Sequence, residues 1–246
     1  MGKKLCIANW KMSVGRKDVR AFVSAFKNPK PNRAVVVIAA PFVYLDNLRK
    51  LNRGAQDVGY AESGAYTGDV SASMLKEKEV RYCLVGHSER RIYHSETDVL
   101  IHQKLLRLLE SGIAPVLCIG ENQAERKRGG TNTVLARQLQ QGLAGITDPK
   151  KIVIAYEPIW AISTFQKGNK KITASDTDII KAHGFIRSRL KAMFGKSGLR
   201  VPILYGGSVN AENSKNFINF AEVGGILVGA ASRNAREFSA IIKSIR

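Results

Sequence analysis

Two patterns of hydrophobic residues alternate along this chain: short continuous apolar runs, and longer segments in which apolar residues recur every three or four positions. Short apolar runs, many of them β-branched, predict buried strands. These runs lie at residues 4–8, 34–39, a short stretch ending at 55–57, 81–85, 114–119, 152–156, 202–205 and 225–228. Apolar residues at helical spacing predict a helix after each strand. The helices are expected at 18–26, 43–51, a short one ending near 75, 97–110, 131–143, 175–194, 211–220 and 234–245.

Strands that alternate with helices in this way indicate a parallel sheet. Eight such units within 246 residues favour an α/β fold in which the sheet closes, a (β/α)₈ barrel, over an open sheet. No composition shift marks a linker, so we expect a single domain over residues 1–246. In such a barrel the carboxyl ends of all eight strands share one face, and that face carries the functional site.

The sixth predicted strand ends in a carboxylate, Glu157, and Pro158 prevents its regular continuation. A glutamate placed there lies at the mouth of the barrel, partly out of water, where its pKa should rise into the range useful for a general base. A glutamate that only forms an ion pair at a strand end is an equally good interpretation of this segment taken alone.

Other polar residues also follow strands. Asn9 and Lys11 come after the first, and His87 comes after the fourth. A neutral imidazole at His87 could donate a hydrogen bond to a carbonyl group, although a solitary histidine is more often a structural core residue. Lys11 could bind an anion, or it could be an ordinary surface lysine.

Two glycine-containing turns, at 206–208 and 229–230, follow strands seven and eight. Their backbone N–H groups are little obstructed, and the loops after these two strands commonly bind phosphate in this type of barrel. A carboxylate base, a hydrogen-bonding histidine, a lysine and a phosphate site together suit one reaction. That reaction is proton abstraction beside the carbonyl of a small phosphorylated sugar, through an enediolate whose charge His87 and Lys11 stabilise.

Charge and composition limit the alternatives. The formal net charge of +19 raises the possibility of nucleic-acid binding, but the basic residues are spread over helix faces without aromatic platforms, which favours a solvated surface. The longest apolar run, 34–43, is interrupted by Pro41 and is too short to cross a bilayer. Three scattered cysteines and four histidines have no metal-ligand spacing. We therefore expect a cytoplasmic protein with free thiols, without a metal and without a membrane partner.

Several motifs, in order along the whole chain, resemble the triosephosphate isomerase family. They are Asn-Trp-Lys-Met at 9–12, Gly-Ala-Tyr-Thr-Gly at 64–68, Gly-His-Ser-Glu-Arg-Arg at 86–91, Cys-Ile-Gly-Glu at 118–121, Ala-Tyr-Glu-Pro-Ile-Trp-Ala-Ile at 155–162, Tyr-Gly-Gly-Ser-Val at 205–209 and Leu-Val-Gly at 227–229. The resemblance implies interconversion of dihydroxyacetone phosphate and D-glyceraldehyde 3-phosphate, without a cofactor, in glycolysis and gluconeogenesis.

The resemblance also implies residue roles. Glu157 matches the family's base, His87 its electrophile, Lys11 its substrate-binding cation, Asn9 a residue that positions the substrate, and Glu89 a supporting carboxylate. The phosphate-binding positions match Ser163, Ser208, Gly229 and Ala230. A lid that closes over the substrate matches the segment that begins with Pro158, Ile159 and Trp160, and the Tyr205 hydroxyl is expected to steady it. Members of this family usually form homodimers, which places Thr67 near Lys11 of the partner subunit.

The chain departs from the family pattern at the lid. Residues 163–165 are Ser-Thr-Phe where the family usually has Gly-Thr-Gly, and the loop is a few residues longer, with Gly168-Asn169 as a candidate turn. Ala230 stands where glycine is common, and Ser13 where asparagine is common. Two alternatives stay open from the sequence: another phosphosugar isomerase on the same barrel, and a divergent barrel that binds polyanions without efficient catalysis.

Overall fold

Eight parallel strands close into a barrel in the computed structural model, which describes residues 2–166 and 172–246. Each strand pairs with the next along the chain, and the eighth pairs with the first, for example Leu227 beside Ile7. The strands are β1 (Lys4–Asn9), β2 (Ala34–Ala40), β3 (Asn52–Ala55), β4 (Tyr82–Val85), β5 (Ala114–Ile119), β6 (Val153–Tyr156), β7 (Ile203–Tyr205) and β8 (Gly225–Val228). The predicted barrel is therefore confirmed.

Helices surround the barrel between the strands. They are α1 (Arg16–Ala25), α2 (Ala72–Glu77), α3 (Ser88–Tyr93), α4 (Asp98–Ser111), α5 (Gln123–Lys127), α6 (Thr131–Gly142), α7 (Asp176–Phe194), α8 (Ser214–Phe217) and α9 (Ala235–Lys243). Segments of 3₁₀ helix lie at Phe42–Leu48, Ile159–Ala161, Ser163–Phe165, Gly195–Arg200 and Ala230–Arg233. In the described part of the chain, none of the helices has the length and apolar character needed to cross a bilayer.

Local sequence signals set the helix ends. The Thr97 hydroxyl accepts a hydrogen bond from the N–H of Leu100 (3.2 Å) and starts α4. Gly112 ends the same helix in the left-handed conformation, with φ of 80°, which glycine adopts without steric cost. Caps of this kind fix where each helix returns the chain to the barrel.

The strands bury residues on both faces. Inside the barrel, Ile7, Val37, Val116 and Leu204 belong to one compact cluster. A larger cluster fills the space between the outer faces of the strands and the helices. Because both faces of the strands are covered, most strands are apolar runs without a polar alternation, as in other parallel sheets. The exception is β3, whose sequence is Asn-Arg-Gly-Ala.

The sequence analysis did not predict the helices α3 and α5, and three predicted elements differ clearly from the structure. The helix predicted at 211–220 is only Ser214–Phe217, because the Asn210 side chain accepts the N–H groups of Glu212 and Asn213 and holds them in a turn. The helix predicted at 43–51 is 3₁₀ helix over Phe42–Leu48. The third strand ends at Ala55, before the predicted 55–57, and the side-chain Nε2 of the next residue, Gln56, donates to the backbone carbonyls of Lys11 and Ala39.

Candidate active site

A cavity of about 530 Å³ opens at the carboxyl ends of the strands. Its lining brings together most of the residues singled out in the sequence: Asn9, Lys11, His87, Glu157, Ser208, Gly229 and Ala230. Glu89 joins them through Lys11, whose ammonium nitrogen lies 2.6 Å from Glu89 Oε1. Barrel closure therefore gathers residues that are widely separated in sequence.

Glu157 follows β6 directly and is almost completely buried. Its Oε1 lies 3.1 Å from His87 Nε2, and its Oε2 accepts a hydrogen bond from the N–H of Ser88 (3.1 Å). Two glycines make room for it. A Cβ on Gly120 would lie 1.8 Å from the Glu157 carbonyl oxygen, and one on Gly206 would lie 3.0 Å from Glu157 Cγ.

The pKa of Glu157 lies below its usual value, so the expected rise is wrong for this conformation. Burial raises the pKa, as anticipated, but the contacts with His87, the Ser88 N–H and the nearby charge of Lys11 together lower it further. All of these groups favour the ionised carboxylate.

The hydrogen bonds of His87 favour one neutral tautomer. Its Nδ1 accepts the N–H of Glu89 (3.2 Å) in the first turn of α3. An Nδ1 that accepts a hydrogen bond carries no proton, so in the neutral ring the proton is on Nε2, toward Glu157. His87 can thus donate a hydrogen bond into the cavity without carrying a positive charge.

Lys11 has a backbone conformation that is uncommon for a side-chain-bearing residue, with φ of 50°. Its N–H donates to Asn9 Oδ1 (3.0 Å), and its carbonyl accepts from the Gln56 amide (3.0 Å). These contacts aim the side chain across the cavity, where the ammonium also lies 3.3 Å from the Thr164 hydroxyl.

The Gly229 turn lies beside this lysine, since a Cβ on Gly229 would be 3.8 Å from Lys11 Cε. The Ser232 hydroxyl donates to the Gly229 carbonyl (2.7 Å) and holds the turn that leads into the 3₁₀ segment Ala230–Arg233. Arg233 also lines the cavity and adds a positive charge at this end.

Ser208 lies in the cavity wall, but its polar groups are engaged. Its hydroxyl (2.8 Å) and its N–H (3.3 Å) both donate to the carbonyl of Ala161, at the start of the predicted lid. In this conformation Ser208 therefore fastens the lid segment to the β7 end of the barrel.

The first part of the lid is well anchored. The Trp160 indole donates to Glu121 Oε1 (2.8 Å), and the Ile159 N–H donates to the Glu121 carbonyl (3.1 Å). The Arg126 guanidinium lies over the Trp160 ring, 3.7 Å from its centre. Pro158 precedes this 3₁₀ turn and accepts the N–H of Ala161 (2.8 Å).

Ser163 begins the next 3₁₀ turn. The Gln166 amide then binds both backbone groups of Ile172, accepting its N–H (2.8 Å) and donating to its carbonyl (2.6 Å). This pairing joins the two sides of the lengthened loop at its base. The turn expected at Gly168-Asn169 lies outside the described residues.

Several predicted residues do not line the cavity, among them Glu89, the lid residues Pro158, Ile159 and Trp160, and also Tyr205 and Thr67. Tyr205 is buried below it and packs edge-on against Phe217, with ring centres 4.9 Å apart. Among the described residues its hydroxyl makes no hydrogen bond to the lid, and its contact with a closed lid stays a prediction. Thr67 lies in the exposed segment 60–69, away from the cavity of its own chain.

Sequence reasoning missed Ser88, Gln56, Thr164 and Arg233. Ser88 and Gln56 act through contacts that only the closed barrel creates. Arg233 follows the predicted phosphate turn by three residues, and its charge was a usable signal. In the described residues, no group of three or more His, Cys, Asp or Glu side chains is arranged to hold a metal ion.

Comparison with known proteins agrees with this geometry. The family model described as triosephosphate isomerase matches residues 4–245. The chain is 40% identical to the triosephosphate isomerase of Ralstonia nicotianae, over 97% of both chains. It is 38% identical to that of Aquifex aeolicus, over 98% of this chain and 99% of the relative. A crystal structure of triosephosphate isomerase from Bartonella henselae superposes with a TM-score of 0.86 at 31% identity, covering 98% of each chain.

Proposed function

Because the chain belongs to the triosephosphate isomerase family, we propose that Glu157 is the base that carries a proton between the two reacting carbons of the substrate. The chain is thus an aldose–ketose isomerase that interconverts dihydroxyacetone phosphate and D-glyceraldehyde 3-phosphate.

The observation that carries this assignment is the contact between Glu157 Oε1 and His87 Nε2, at 3.1 Å. Glu157, the proposed base, and His87, a neutral hydrogen-bond donor, thus lie next to each other in the wall of the cavity. When a substrate carbonyl oxygen accepts the His87 Nε2 hydrogen, Glu157 loses that contact while staying buried. Its pKa then rises because burial is no longer offset by His87, and the carboxylate becomes a stronger base.

Charge that develops on the substrate oxygens is stabilised by groups that already point into the cavity. His87 donates its Nε2 hydrogen, and Lys11 supplies a positive charge that Glu89 holds in place at 2.6 Å. Donors that are positioned before the reaction need no reorganisation in the transition state. The enediolate therefore forms without a metal or a cofactor in this mechanism.

The phosphate group fits the other end of the cavity, near Gly229 and Ala230. Both residues line the cavity with Lys11, and a Cβ on Gly229 would lie 3.8 Å from Lys11 Cε, so a phosphate bound to their N–H groups would be close to this positive charge. The N–H groups of Ser163 and Ser208 complete the proposed phosphate site. Since Ser208 now binds the Ala161 carbonyl, substrate binding requires a shift of the lid segment, which would also exclude water from the reaction.

We infer a homodimer from the exposed apolar side chains near this face. Met12 is 97% exposed and Val43 is 80% exposed. Tyr66 and Thr67 are also exposed, and these sites follow the neighbouring strands β1, β2 and β3. A second copy would cover these side chains.

We also infer a reducing, cytoplasmic location, which suits the three free and buried thiols of Cys6, Cys83 and Cys118.

The test is the steady-state rate with D-glyceraldehyde 3-phosphate, measured with and without sulfate as a competing anion. Rapid turnover with competitive inhibition is the expected result. Glu157→Gln should lower kcat by about a thousandfold while the protein stays folded, because the general base is lost. Glu237→Gln, another carboxylate in the cavity wall, is the matched control and should change kcat little. Near-normal turnover by the Glu157 variant would exclude this residue as the base.

A further inference from the structure

Positive and negative side chains balance in the wall of the active-site cavity. Among the described residues that line it, Lys11 and Arg233 are cationic, and Glu157 and Glu237 are anionic. Lys11 is also paired with Glu89, whose Oε1 lies 2.6 Å from the ammonium nitrogen. The formal charge of +19 on the whole chain is therefore not concentrated in this cavity.

Arg233 has no acidic partner in the part of the chain that the structure describes. No carboxylate oxygen there lies within 4.0 Å of its guanidinium, although Glu237 lines the same cavity. Without Arg233 the charged side chains of the lining would sum to a net negative charge, which repels an anion. The phosphate of the proposed substrate is a dianion, so its binding depends strongly on this arginine.

Two backbone carbonyls hold the Arg233 guanidinium at the edge of the cavity. Its Nη1 donates to the carbonyl of Ser13 (3.3 Å), in the loop after β1, and its Nε donates to the carbonyl of Ala230 (3.4 Å), in the turn after β8. Ser13 and Ala230 also line the cavity. Arg233 therefore joins the loop that carries Lys11 to the turn proposed to bind phosphate.

These contacts leave part of the guanidinium available to a ligand. Among residues 2–166 and 172–246, no hydrogen bond uses the N–H groups of Arg233 Nη2. A guanidinium binds phosphate oxygens with both charge and a fixed direction, because its N–H groups lie in one plane. Arg233 is exposed, so solvent and salt screen part of this charge and limit its effect on affinity.

From this arrangement we propose that Arg233 is a phosphate-binding residue of the active site and contributes to the preference for triose phosphates over unphosphorylated trioses. Its Nη2 N–H groups bind a phosphate oxygen, together with the backbone N–H groups of Gly229 and Ala230. This role rests on the proposed function, and it adds a side-chain cation to a phosphate site that otherwise consists of backbone N–H groups and Lys11.

The test compares Arg233→Gln and Arg233→Lys with the unmodified chain. The matched control is Arg236→Gln, which removes the same charge from an exposed position of α9 that does not line the cavity. Glutamine keeps an N–H donor for the loop carbonyls but lacks the charge. Three quantities are measured: kcat and KM with D-glyceraldehyde 3-phosphate, the dissociation constant of sulfate by calorimetry, and the slow turnover of unphosphorylated D-glyceraldehyde by NMR.

Arg233→Gln should raise KM and the sulfate dissociation constant by about tenfold, since a charge-assisted contact to the anion is lost. We expect kcat to change by less than about threefold, because the contact to the unreactive phosphate is present in both the ground state and the transition state. Turnover of D-glyceraldehyde should not fall, since this substrate has no group for Arg233. Arg233→Lys should recover part of the sulfate affinity, because it keeps the charge but loses the planar fork. The Arg236→Gln control should stay within about twofold of the unmodified chain.

Three results would overturn the role of Arg233. Equal weakening of sulfate binding in Arg233→Gln and Arg236→Gln would indicate a diffuse effect of net charge. A lower kcat with unchanged sulfate affinity would mean that Arg233 only holds the two loops together. An equal loss of turnover with the phosphorylated and unphosphorylated substrates would exclude recognition of phosphate.

The calorimetric measurement needs no turnover, so it separates this role from the proposed function. An unmodified chain that does not isomerise the triose phosphates, but loses sulfate affinity in Arg233→Gln, would support the anion site and refute the isomerase. An active isomerase whose sulfate affinity and KM are unchanged in Arg233→Gln would refute only the role of Arg233.

Discussion

Glu157 and His87 are hydrogen-bonded to each other in the cavity, with 3.1 Å between Oε1 and Nε2. The two groups proposed to act on the substrate are therefore each other's hydrogen-bond partners in this conformation. This contact stabilises a buried carboxylate that would otherwise be costly. It also makes the proton affinity of Glu157 depend on what occupies the cavity.

The first prediction concerns the pKa of Glu157, which should lie below 4.5 in the ligand-free protein. A carboxyl group whose pKa is lowered on folding stabilises the native state above its unfolded pKa, and this contribution is lost as the pH falls through the folded pKa. ¹³C NMR of carboxyl-labelled glutamate, with the signal assigned by Glu157→Gln, measures the value. His87→Ala should raise it, since a group that lowers it is removed. A Glu157 pKa above 6 in the unmodified protein would contradict the prediction.

The second prediction concerns Gly206, where an added Cβ would come within 3.0 Å of Glu157 Cγ. Gly206→Ala should displace the carboxylate by a few tenths of an ångström and lower kcat by about ten- to a hundredfold, because general-base catalysis depends on exact placement. Gly184→Ala is the control, since a Cβ there meets no atom within 4 Å. Equal kcat values for the two variants would show that the Gly206 contact does not position the base.

The third prediction concerns His183, a fully buried histidine whose Nε2 has no hydrogen-bond partner among the described residues. Burial lowers its pKa from 6.5 to about 4. Between these values the unfolded chain binds more protons than the native state, so stability should fall as the pH is lowered from 6.5 to 4, by about 3 kcal/mol. Urea unfolding at a series of pH values measures this loss.

His183→Gln should remove most of that pH dependence, whatever it does to the absolute stability. The exposed His94 provides the matched variant, His94→Gln, which should keep the full dependence. If both variants respond to pH as the unmodified chain does, His183 is not the group responsible.

The fourth prediction concerns the dimer. Thr67→Arg should place a charged side chain in the proposed interface and give a monomer in sedimentation experiments, where the unmodified chain sediments at twice the mass of one chain. Burial of an unpaired charge in an apolar contact is the physical reason. Thr133→Arg, at an exposed position of α6, should leave the dimer intact. A monomeric unmodified protein would refute the interface.

The sequence by itself determined the order and type of most elements and which side chains follow the strands. Buried strands and amphipathic helices differ in the spacing of their apolar residues, and this spacing is visible within one short segment of sequence. For this reason β5 and β8 were predicted to the residue. Placement of Asn9, His87 and Glu157 on one face followed from the common direction of parallel strands. The α8 region was predicted poorly, since the Asn210 side chain competes for backbone N–H groups that the helix would use.

Only the tertiary structure decided how those side chains meet. Ser88 and Glu157 are 69 residues apart, and their hydrogen bond, which helps to lower the pKa of Glu157, exists only because the barrel closes. The same closure brings the Ser208 hydroxyl to the Ala161 carbonyl, 47 residues away in sequence. The period of the apolar residues determines which face of a strand or helix a side chain occupies. Contacts and pKa values depend instead on the distances between side chains of different elements, and packing sets those distances.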